Sequence, residues 1–130
     1  MLHRQRGRSQ RGAAVVDVVL VMIVLVPVVL GILQVALVMF VRNTLAAAAS
    51  EGARLAATAD RGAGDGVALT REQVDQAISG RYAQDVSVRR VLVHGAPAIE
   101  VTIHARVPAL GLGGPAIELD VTGHAIQERP

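Results

Sequence analysis

From Val18 to Val41 the chain reads VVLVMIVLVPVVLGILQVALVMFV, a run with no charge in it and Gln34 as its single polar residue. As a helix, about 24 residues rise roughly 36 Å, enough to cross a hydrocarbon core of about 30 Å. Backbone inside a bilayer must satisfy its own hydrogen bonds, so a lone span of this kind is a helix. Pro27 and Gly31 lie one turn apart and are compatible with a kinked membrane helix. The chain has 130 residues, so once this run is set aside only a small domain remains to build a core. A hydrophobic share of 52%, a charged share of 18%, an aromatic share of 2% and a mean hydropathy of +0.43 agree with one membrane element and one small domain.

The charge distribution sets the expected topology. Basic residues number 13 and acidic 11, for a net charge of +2, and every basic residue is arginine. With no lysine and one tyrosine, that small surplus is enough to carry the sequence pI to 10.4. Arg4, Arg6, Arg8 and Arg11 crowd the segment before the apolar run with no acid among them. The positive-inside rule then places the N-terminus in the cytoplasm and the chain after Arg42 outside it. The absence of cysteine removes disulfides, thiolate metal sites and cysteine nucleophiles.

Three readings compete for the apolar run. A cleaved secretory signal has an apolar stretch of about 7–15 residues, shorter than this one, although Ala46 to Ala49 imitate a small-residue cleavage site. A plain signal anchor explains length and orientation but has no use for Asp17 at the start of the run. A charge costs about 2.5–3.5 kcal/mol at the centre of a membrane helix and less near its end. One account makes Asp17 a shallow acid on the first helical turn, where the helix dipole favours negative charge.

The third reading takes Gly12, Ala13-Ala14-Val15-Val16, Asp17 and the apolar helix together, behind a short arginine-rich leader. This pattern resembles a type IV prepilin signal, and residues 11–58 look like the TadE-like family of tight-adherence pilus proteins, whose members are minor pilins or pseudopilins. The spacing from Gly12 to Asp17 and the segment Glu51-Gly52-Ala53-Arg54 carry most of that resemblance. It implies cleavage after Gly12 by a membrane aspartyl prepilin peptidase, Ala13 as the new N-terminus and Asp17 as the acid of the motif. Aspartate stands here where the family usually has glutamate. The resemblance further implies a membrane-bound component of a tight-adherence pilus or related secretion apparatus, with other pilin or pseudopilin subunits and inner-membrane assembly proteins as partners. An unprocessed single-pass accessory protein that binds an extracellular partner is the alternative.

Beyond the run, the alanine-rich stretch to Thr58 predicts a continuing helical stem, roughly 45 residues and about 70 Å in all. Small residues allow close helix packing, so Ala46, Ala49 and Gly52, with Glu51 and Arg54 beside them, are candidate assembly contacts. Glu51 and Arg54 are also spaced to pair on the helix surface. The stretch 59–69 reads as a glycine-rich linker, and its two aspartates lack the ligand alternation of a calcium loop. Thr70-Arg71-Glu72-Gln73 reads as a capping box opening a helix to about Ala83, with Val74, Ala77, Ile78 and Tyr82 toward a core. Val86–Val93, Ala98–Val107 and Ile117–Ile126 alternate as strands, the first two joined through His94-Gly95-Ala96-Pro97.

The expected fold class is therefore α+β, a long N-terminal membrane helix followed by one short helix and a three-stranded antiparallel sheet. The expected divisions are a basic leader 1–12, a membrane helix and stem 13–58, a linker 59–69 and an extracytoplasmic domain 70–130. No catalytic, cofactor or metal site is expected. Gly111 to Ala116 matches a dinucleotide-loop pattern but leads into a strand rather than a helix. His104 and His124 lack an evident third metal ligand. The basic arm is read as a topology signal rather than a nucleic-acid contact, no small-molecule substrate is expected, and no nucleophile–base pair points to an enzyme.

Overall fold

A computed structural model describes residues 6–58, 60–110 and 114–127. The elements are α1 (Arg6–Ala57), α2 (Ala63–Ala77), a 3-10 turn (Gly80–Ala83), β1 (Asp85–Val93), β2 (Ala96–Val107) and β3 (Ile117–Ile126). The chain divides into two units, Met1–Val35 and Ala36–Pro130, and α1 contributes to both. This is the α+β class that the alternation of apolar residues predicts. The helix starts earlier than expected, inside the basic leader, and continues through Pro27. Arg4 and the Gly111-Leu112-Gly113 part of the dinucleotide-like pattern lie outside the described residues.

In the first unit the apolar side chains of α1 have no cover from the chain. Val15 to Val35 include a long series of exposed valines, leucines and isoleucines, and none of the most apolar window is buried. Mean hydropathy in that window reaches 3.0. Uncovered apolar area of this extent is far beyond what a water-soluble surface carries, and a bilayer is the solvent that suits it.

In the second unit the end of α1 covers one face of the sheet, and α2 packs against α1 through Gly66 and Thr70 and into the core through Val74. Strand order is β1-β2-β3, antiparallel throughout, with Val88 opposite Val101 and Val101 opposite Gly123. His94 and Gly95 both have positive φ, 51° and 81°, which closes a two-residue hairpin whose twist matches that of the strands. The turn is thus tighter than the four-residue stretch suggested, and Ala96 and Pro97 already belong to β2. Ile99, Val101, Ile103, Ala105 and Val107 all point inward, as their alternation predicts. Val101, Ile103, Ala105 and Val107 meet Val41, Leu45, Ala48, Ala49 and Ala53 of α1 and Val74 of α2 in the core, and Ile99 meets Ala56 and Ala57.

The stretch read as a linker is mostly helix. Gly62 donates its amide to Asp65 Oδ2 at 3.0 Å, so the helix opens at Gly62 with Asp65 as the capping carboxylate, and not at Thr70. Of the glycines that suggested flexibility, Gly66 serves close packing instead, whereas Gly62 and Gly64 face open space. A Cβ on Gly66 would lie 2.6 Å from the Gly52 carbonyl and 2.7 Å from Ala56 Cβ, and one on Gly52 would lie 2.8 Å from the Gly66 carbonyl. Thr70 sits inside the helix, fully buried, with its hydroxyl donating to the Gly66 carbonyl at 2.7 Å. Only small residues at these positions let α1 and α2 approach so closely.

The helix also ends sooner than Ala83. Ile78 donates its amide back to the Val74 carbonyl, and Gly80 donates to Asp75 Oδ1 at 2.9 Å, which turns the chain into the 3-10 segment. Val74 and Tyr82 are buried and Ile78 packs against the core, but Ala77 is exposed, lying off the buried line of Gly66, Thr70 and Val74.

Candidate functional site

Gly12, Ala13 and Asp17 are all exposed on α1. A Cβ on Gly12 would meet nothing within 4 Å, so no packing within the chain requires glycine there. Asp17 lies three turns into a helix that begins at Arg6. The dipole effect fades within the first turn, so a helix N-terminus does not account for an acid at this position. What remains at Asp17 is an exposed carboxylate at the edge of the apolar run, five residues after the glycine.

The candidate assembly residues divide in two. Ala49 and Gly52 are buried and face the chain's own second unit: a Cβ on Gly123 would fall 2.5 Å from the Ala49 carbonyl carbon, and Gly52 faces Gly66. Their close contacts are made within one copy. Ala46 is half-buried against the core, whereas Glu51 and Arg54 are exposed, and no ion pair joins the two. The surface of α1 in this unit left for a partner therefore runs through Ala47, Ser50, Glu51 and Arg54.

The outer face of the sheet carries a cross-strand polar ladder. Arg106 meets Glu118 at 3.1 Å and His104 Nδ1 meets Asp120 at 2.6 Å. Glu100, on the central strand, is flanked by Arg89 on β1 and His124 on β3, the latter at 2.6 Å. These neighbours cover it, leaving its side chain 9% exposed. The Arg89 hydrogen bond, aided by His124, outweighs burial and holds the Glu100 carboxyl below its ordinary value. The hydrogen bond to Asp120 raises His104 above the ordinary histidine value. The two histidines are thus separately engaged with carboxylates, and no cluster among the described residues could hold a metal ion.

A cleft of about 500 Å³ opens at one end of this ladder, lined by Arg81, Gln84, Asp85, His104, Arg106 and Asp120 among others. Charges of both signs line it, and several already engage each other. Gly66, Gly123 and the Glu100 pairing do not stand out in the sequence. The signal for Gly123 was present in the alternation of β3, where a glycine occupies an inward position; the others depend on strand register and helix crossing.

Comparison with known proteins bears on the helix. A family model described as TadE-like protein matches residues 12–54, a segment that takes in Gly12, Asp17, the apolar run and Glu51 to Arg54. The likeness read from the sequence therefore rests on a family match that ends within α1. No curated protein and no solved structure matches the chain. A TadE-like helix, apolar and uncovered, joined to an α+β unit fits a pilin-like membrane protein.

Proposed function

We propose that the chain is a minor pilin or pseudopilin of a tight-adherence pilus or a related secretion apparatus. The uncovered segment of α1 anchors it in the cell membrane, with the basic leader in the cytoplasm and the second unit outside. Prepilin peptidase cuts after Gly12, freeing Ala13 as the N-terminus, and the role after processing is structural. Its partners are other pilin or pseudopilin subunits and inner-membrane assembly proteins.

The observation that carries this reading is the position of Gly12 and Asp17, five residues apart, exposed, at the mouth of a membrane-length helix and inside the family match. Glycine has no packing duty at position 12, so a substitution there tests recognition and leaves the fold alone. Gly12→Leu in the producing cell is expected to leave the chain at its full length, with the wild type running smaller. Equal mobility of the two, both uncut, would favour an unprocessed anchored accessory protein.

A further inference from the structure

We infer that the second unit rests on the bilayer through the end of the sheet where β2 leads into β3. The residues flanking that connection then lie at the lipid surface, beside the last turns of the apolar run. Residues 107–117 read VPALGLGGPAI, without a charged or polar side chain. Connections that face water are normally polar. Pro108, Gly114, Pro115 and Ala116 are nonetheless exposed, and Ile117 keeps 38% of its surface. Charge begins only at Arg106 and Glu118, which pair with each other.

The height of this end follows from contacts inside the second unit. Ala49 lies over Gly123, while Ala56 and Ala57 cluster with Ile99, which stands opposite Ala125. Going back along α1 therefore means going back along β3 toward Ile117. The strand covers about 20 Å from Gly123 to Ile117, and α1 covers about 20 Å from Ala49 to Ala36. Leu37 and Val38 pack against the same core that holds Val107. The sheet end thus stands level with the last apolar turns of α1, where Met39 and Phe40 are 50% and 57% exposed.

Continuity with the membrane segment selects lipid as the occupant. Counted from Val18, about 20 residues fill the hydrocarbon core, which puts its outer boundary near Leu37. Met39 and Phe40 then belong to the headgroup region, and the lipid that covers them reaches the sheet end at the same height. Arg42 closes the run, exposed and without an ion pair among the described residues, and its guanidinium suits headgroup phosphate. The opposite end of the unit is charged: Asp60 and Arg61 follow α1 there, and Arg90 stands opposite Ile99. This seating rests on the anchoring of α1 in the membrane, not on cleavage after Gly12.

The chain has no cysteine, so single substitutions place a fluorophore without background. Full-length protein labelled with NBD at Ala116→Cys or Pro115→Cys, with circular dichroism matching the wild type, is reconstituted in vesicles of phosphatidylcholine and phosphatidylglycerol, with and without a nitroxide on the upper acyl chain. Both labels are expected to emit at shorter wavelength than in water and to be quenched by the nitroxide lipid, as is a label at Phe40→Cys. A label at Leu92→Cys, apolar and 74% exposed but at the hairpin end, should show neither effect. Val24→Cys, inside the run, reports the anchor itself. Quenching at Val24 with none at Pro115 and Ala116 would overturn the seating and leave the anchor standing, whereas no quenching at Val24 either would remove both. Blue-shifted but unquenched labels at Pro115 and Ala116 would mean a protein cover, and equal quenching at Leu92 would mean no preferred end; either result overturns the proposal.

Discussion

Gly123 of β3 lies directly beneath Ala49 of α1: a Cβ at position 123 would stand 2.7 Å from the Ala49 carbonyl oxygen and 2.4 Å from the Ser50 amide nitrogen. The obstructing atoms are helix backbone, which cannot rotate aside. The end of α1 around Ala49 and Ser50 is thereby seated on the sheet by contact of main chain with main chain.

Gly123→Ala should accordingly destabilise the second unit by about 1–3 kcal/mol, the usual cost of an overpacked core. Gly66→Ala should behave similarly, since its Cβ would meet the Gly52 carbonyl. Gly62→Ala and Gly64→Ala, whose positions are open, serve as controls. Thermal melts followed by circular dichroism in detergent check the contrast; equal melting points for all four would contradict the packing described.

Glu100 links all three strands on the outer face. Glu100→Gln removes the charge that Arg89 and His124 share and should cost about 1 kcal/mol, a modest figure because Arg89 is largely solvated. Its folded carboxyl titrates below the ordinary value, so this contribution is present above the unfolded value of 4.5 and is lost as pH falls through the folded one. Melts from pH 6 down to about pH 3 should show a steeper acid decline in the wild type than in Glu100→Gln.

The His104–Asp120 contact has the opposite dependence. A histidine raised above 6.5 adds stability at pH values below that, and the contribution disappears as pH rises through the folded value. The proton resonances of His104 should titrate above the ordinary value in the wild type and move down in Asp120→Asn. No difference between the two would remove Asp120 as the cause.

The sequence made the strands legible because their alternation has a period that burial on one face enforces: Ile99 to Val107 point inward as read. The apolar run was equally legible, since its length and lack of charge need no tertiary information. The stretch 63–69 was not. Its glycines look like flexibility when local propensity is considered alone, but Gly66 permits the approach of α2 to α1, which only the folded chain reveals. Thr70 misled for the same reason, its hydroxyl turning inward to the Gly66 carbonyl rather than capping a helix start. The small size of Ala49 and Gly52 suggests assembly contacts with other subunits, whereas in the folded chain both pack against Gly123 and Gly66 of the same copy.

The central claim is tested most directly by the intact mass and N-terminal sequence of protein extracted from host membranes. The account predicts a chain that begins at Ala13 and lacks the mass of residues 1–12. A chain that begins at Met1 or Leu2 would contradict it, leaving an anchored protein whose glycine and acid are not read by a peptidase.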